Sequence, residues 1–217
     1  MTVPIKFRKS RERIISFNFN DIADGTGQVK FYGFNSEVGG TADYHLTTDN
    51  SIRSILAETQ GSAQSGGGGE SINLNWDLPS FNLPKTVRGG FLVTGNYAIS
   101  GAANPGSGTI TVKVIRLSGA VETELASVVG PAFVAVDTTA NPSKRFVITG
   151  TITKTLFKVG DVLRLKVVCT ADDLTGGSAS CILGNDPTNN DGTVLTPSSD
   201  SDETTQLIIY IPFDLDL

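Results

Sequence analysis

The chain has 217 residues, with 17 Lys and Arg against 22 Asp and Glu, giving a formal net charge of −5. Apolar residues make up 39% and charged residues 18%, enough to fill a core, so disorder throughout is excluded. The longest apolar runs, five residues as at 207–211, are far short of the ~20 needed for a membrane-spanning helix. One His and two Cys leave little material for a transition-metal site or nucleophilic catalysis.

Residues 1–13 read as a basic arm. Lys6, Arg8, Lys9, Arg11 and Arg13 surround a single acid, Glu12, so this stretch carries +4 and leaves −9 for the rest of a chain whose total is −5. No apolar stretch follows these cations, so a secretory signal is not expected and synthesis in a cytoplasm is. Such an arm is either a solvated terminus or an electrostatic tether. Only Phe7 is interleaved with the cations, so acidic protein surfaces are the favoured target and nucleic-acid phosphates the less favoured one.

From residue 14 to residue 217 the dominant period is two, the mark of strands with one buried face. Ile15, Phe17 and Phe19 alternate with polar residues; Val29 and Phe31 follow; Ile72, Leu74, Trp76 and Leu78 share one parity. Phe91, Val93, Tyr97 and Ile99 form another run, and Ile110, Val112 and Val114 lead through Ser118 and Gly119, a hairpin turn, into Val121, Thr123 and Leu125. Phe146, Ile148 and Ile152, then Leu163, Leu165, Val167 and Cys169, then Ala179, Cys181 and Leu183, and finally Leu207, Ile209 and Ile211 complete the series. Residues 51–58 allow a short helix behind Asp49 and Asn50, or an extended segment. The pattern predicts one all-β domain over 14–217: an antiparallel sandwich of nine or ten strands, with long Gly-, Ser- and Asn-rich loops and little helix. The four glycines from 66 to 69 read as part of a surface loop, because the two or three strands before them would not stand alone.

Candidate chemistry is sparse. Cys169 and Cys181 are equidistant from residue 175, so a hairpin over 172–177 would bring them together, as two buried thiols or, less favoured, as a disulfide. Residues 185–192 are rich in side-chain oxygens but depart from the helix-loop-helix calcium pattern at Pro187 and lack a closing Glu, so a polar turn is expected. His45 has no nucleophile motif to serve. Trp76 shares parity with Ile72 and Leu74 and is expected in the core rather than on a binding platform. No catalytic residue, metal ligand or cofactor site is assigned, and the chain is expected to be non-enzymatic.

The segment 155–167, Thr-Leu-Phe-Lys-Val-Gly-Asp-Val-Leu-Arg-Leu-Lys-Val, resembles the Gly-Asp turn and alternating strand found late in many jelly-roll sandwiches. With the hairpin over 109–127 and a closing strand over 205–211, the layout resembles the single jelly-roll domains of virion proteins: capsid decoration, minor capsid and vertex proteins of bacterial and archaeal viruses. That resemblance implies a virion structural protein located in the particle, partnered by other capsid proteins and self-associated as a trimer or pentamer. The arm would clamp neighbouring subunits, and Pro131, Phe133 and Val134, which stand outside the alternating runs, would supply loop contacts. The alternative is a glycan- or receptor-binding module, such as a phage receptor-binding tip or a bacterial carbohydrate-binding module, using an exposed aromatic such as Tyr44 or Tyr32.

Overall fold

A computed structural model describes residues 14–16, 26–38, 41–65, 68–101, 106–134, 143–173, 177–195 and 204–214. The basic arm lies outside these described residues. Its strands are β1 (Ile14–Ser16), β2 (Thr26–Val38), β3 (Thr41–Thr47), β4 (Glu58–Gln60), β5 (Gln64–Ser65), β6 (Gly69–Asp77) and β7 (Lys85–Gly101). They continue as β8 (Gly106–Ser118), β9 (Val121–Val129), β10 (Phe133–Val134), β11 (Ser143–Phe157), β12 (Val162–Asp173), β13 (Ser178–Gly184) and β14 (Leu207–Asp214). No helix occurs among the described residues, so the expected all-β class holds.

The ladders form one path that doubles over on itself. In one block, β9 and β10 lie along one flank of β8, and β12 and β6 follow on the other. In the second block, β11 lies along one flank of β7, while β14 and β13 share the opposite flank. β2 and β3 extend the sheet beyond β14, β1 flanks β2, and β4 and β5 flank β13. A single parallel bridge from His45 to Asp77 joins the blocks.

The period-two pattern explains why the blocks face each other. Ile110, Val112 and Val114 of β8 and Leu163, Leu165 and Val167 of β12 pack in one core cluster with Phe91, Val93 and Tyr97 of β7 and Ile148 and Ile152 of β11. The Tyr97 ring meets Phe133 edge-on at 5.6 Å, tying β7 to β10 across the interior. Trp76 is fully buried in the same cluster, as its parity predicts, with the Tyr44 ring 5.3 Å away.

Four local expectations are corrected. Residues 51–57 form a loop leading into β4, not a helix, because Ser54 is drawn inward by hydrogen bonds to Asn35 and Asn185. β12 and β13 do not form a hairpin ladder; the chain crosses between the blocks, and β13 pairs with β4, β5 and β7. Phe133 is not an exterior loop contact, since its ring is in the core and Lys144 covers it, with Nζ 5.3 Å from the centroid. Tyr32 is likewise buried and so is no exposed platform. Pro131 is exposed, and Val134 pairs through its backbone with Ser107.

One margin of the double layer closes where β9 and β11 meet. A Cβ on Gly150 would lie 2.5 Å from Phe91 Cε1 and 2.8 Å from Val128 Cγ2, so only hydrogen fits there. Gly150→Ala is expected to lower unfolding stability by about 1–3 kcal/mol, as overpacking of a filled core does. Urea denaturation checks this, and an unchanged midpoint would show that the margin is looser than described.

Candidate functional site

The same margin opens further along. β9 and β11 run in opposite directions: Val128 lies opposite Gly150 and Gly130 opposite Ile148. Continuing from that end, residues 123–125 and 153–156 line opposite sides of a groove of about 470 Å³. Each strand is irregular at this level. The β8–β9 register shifts between Val114 and Ile115, and the β11–β7 register shifts between Ile152 and Thr155. A bulge bends its strand and sharpens its twist, so two bulges at one level part the margins.

Arg116 of β8, Lys154 of β11 and Lys158 beyond it supply cations to this groove; Thr123, Thr153 and Thr155 supply hydroxyls, and Leu125 and Leu156 an apolar lining. Arg116 spans the opening, donating from Nη1 to the Leu156 carbonyl at 3.1 Å, while its buried Nε has no hydrogen-bond partner. A buried donor left unmade costs about 1–3 kcal/mol.

Glu124 also lines the groove, and it and the nearby carboxylates are engaged. Glu124 bonds Lys113 at 3.0 Å, and Glu122 pairs with Arg164, which also grips Asp77 in a two-pronged contact with both N···O distances at 2.7 Å. Asp161 is buried behind the groove and held below the usual carboxylate range by the Lys158 backbone N–H, against the upward push of burial, with help from the Ser118 side chain and the Arg116 and Lys158 charges. Lys154 has no ion-pair partner among the described residues. On an acidic chain this groove is locally cationic.

The residues singled out in the sequence lie elsewhere. His45 Nε2 is 3.1 Å from Asp43 and its ring lies tilted 5.2 Å from that of Phe34, with no hydroxyl or thiol bonded to it among the described residues. Cys169 and Cys181 are buried free thiols that do meet, and the Cys181 contact, together with burial, holds the Cys169 thiol up. Asp186 is fully buried, and its carboxylate accepts from the Ser54, Thr188 and Asn190 backbone N–H groups and from the Thr188 and Asn190 side chains. Those donors make it the anchor of a polar turn. No cluster of three or more His, Cys, Asp or Glu suited to a metal occurs among the described residues.

No protein-family model matches the chain, and no curated protein does. Solved structures with partial likeness include an α-amino acid ester hydrolase, with 12% identity and a TM-score of 0.47 over 66% of this chain and 26% of that one. An aminopeptidase from a marine-sediment Thaumarchaeota archaeon gives 11% identity and a TM-score of 0.43, again over 66% and 26% of the two chains. A CocE/NonD family hydrolase from Staphylococcus aureus gives 10% and 0.38 over 84% and 41%. The chain therefore spans between about a quarter and two-fifths of these structures. Against the expectation of a non-enzymatic virion structural protein or glycan-binding module, these neighbours are all hydrolytic enzymes, and that expectation is withdrawn. At such identities and TM-scores no activity passes from them to this chain.

Asp186 yields a test with a defined sign. Burial raises its pKa, but the Ser54 N–H and the Asn190 and Thr188 groups outweigh that and bring it below the ordinary 3.8. A depressed carboxyl stabilises the fold fully above its unfolded pKa and loses that contribution as pH falls through the folded one. Asp186→Asn is expected to cost about 1–3 kcal/mol at neutral pH, because an amide N–H then faces backbone donors. The gap from wild type should narrow in urea melts taken below pH 3.8. Equal stability of the two proteins at neutral pH would contradict this role.

Proposed function

We propose that this chain is a β-domain that binds an acidic, extended protein segment in the groove between β9 and β11. The observation that carries the reading is the convergence of Arg116, Lys154 and Lys158 with threonine hydroxyls and leucine side chains where two strand margins part. Cations and hydroxyls match carboxylate oxygens. Leu125 and Leu156 match alternate apolar side chains, which a small free anion would leave unused. An extended strand carrying acidic and apolar residues in alternation presents both.

The test is calorimetric titration with a short synthetic peptide of alternating Val and Glu, and with inorganic phosphate as the small-anion control. Saturable binding of the peptide, weakened by added salt and by about tenfold or more in Lys154→Glu, is the expected result. Unaltered affinity in Lys154→Glu and Lys158→Glu, or no binding, would overturn the reading.

A further inference from the structure

We propose that the acidic segment seated at this groove is β9 of a second copy of the chain, in a two-fold dimer in which each β9 pairs with the other copy's β11. The inference rests on the groove reading and identifies its occupant.

Two strand edges on this side of the molecule are left without a ladder. Among the described residues β9 has a ladder only with β8 and β11 only with β7, so both present unpaired backbone groups on one side of the molecule. Such edges are templates for strand addition. Five of the eight large apolar side chains most exposed among the described residues flank this side: Val121 and Val129 on β9, Val147 and Leu156 on β11, and Val159 just beyond.

Symmetry then fixes how two copies fit. A two-fold axis parallel to the strands places β9 of one copy against β11 of the other and repeats the contact on the opposite layer, an isologous arrangement. Rotation about that axis keeps each residue at its own level along the strands. Since β9 and β11 already run in opposite directions within one chain, each new ladder is antiparallel, the pairing that adjoining edges form most readily.

The side chains that meet are complementary level by level. At one end Val129 comes level with Thr149 of the second copy, with Val147 its diagonal neighbour, because Val128 and Gly150, and Gly130 and Ile148, share levels within the chain. In the middle Glu124 comes beside Lys154, because both line the groove at the same level. At the other end the exposed Val121 and Leu156 lie within one residue of the same level. Glu124 and Lys154 are both exposed, and Lys154 lies in the stretch where the β11 register shifts. A Glu opposite a Lys across a strand pair is favourable, and like charges there are not. The cationic β11 edge, carrying Lys144, Arg145 and Lys154, therefore rejects a second β11 and accepts β9. A two-fold dimer differs from the trimer or pentamer expected from the resemblance.

The experiment is sedimentation equilibrium on the full chain and on three variants, Glu124→Lys, Lys154→Glu and the double variant, with circular dichroism to confirm that each stays folded. The expected result is a concentration-dependent dimer whose dissociation constant rises about tenfold or more in each single variant and returns toward wild type in the double variant. A monomer at every concentration, a trimer or pentamer, or a dimer indifferent to both single variants would overturn the inference. A monomeric chain that still binds the Val-Glu peptide would leave the groove reading standing while removing the dimer; loss of both would remove the two together.

Discussion

The contact on which the architecture turns is the approach of β11 to β9 at Gly150, where Phe91 and Val128 leave room for nothing larger than hydrogen. Among the described residues the two blocks share one ladder bridge, His45 to Asp77, and hydrogen bonds from Cys181 to Ser71 and Thr170; their alignment elsewhere depends on packing. Closing the margin at Gly150 and bulging both strands beyond it decides where the layers touch and where they part. The groove is a consequence of that closure, built from strands whose hydrogen bonds are committed to β7 and β8.

Electrostatics give the opening its character. The chain is acidic overall, yet the acids nearest the groove have partners of their own: Glu124 on Lys113, with its side chain still half exposed, Glu122 on Arg164, and Asp161 on the Lys158 backbone. Exposed pairs of this kind add little stability, but they remove negative charge from the groove's surroundings. Arg116, Lys154 and Lys158 then act on whatever enters. Strand edges bearing lysines and bulges also resist indiscriminate pairing, so a partner must bring carboxylates as well as a free edge.

Much of the fold was legible in the sequence because burial on one face imposes a two-residue period. Trp76, Val93, Ile110 and Leu165 all lie on the buried face that their parity assigns. β3 escaped notice because Leu46 alone is buried among its residues, leaving no alternation to read. Phe133 and Ser54 were misplaced for the converse reason: each is pulled inward by a partner distant in sequence, Tyr97 for one and Asn185 for the other. The groove was not legible at all. Its members come from three stretches of chain brought side by side by pairing, and Lys154 and Lys158 look in isolation like ordinary solvated residues of a Thr-rich strand. A bulge in either strand leaves no mark on the alternation beyond a slipped parity, visible only once the partner register is known.

The most direct measurement of the account is a residue-resolved NMR titration with the alternating Val-Glu peptide, following backbone amides on both strands. The expected result is shifts centred on residues 116, 123–125 and 153–158 and smaller at residues 128–130 and 148–150 at the closed end. Shifts centred on the closed end, or spread over the face around His45, would contradict it.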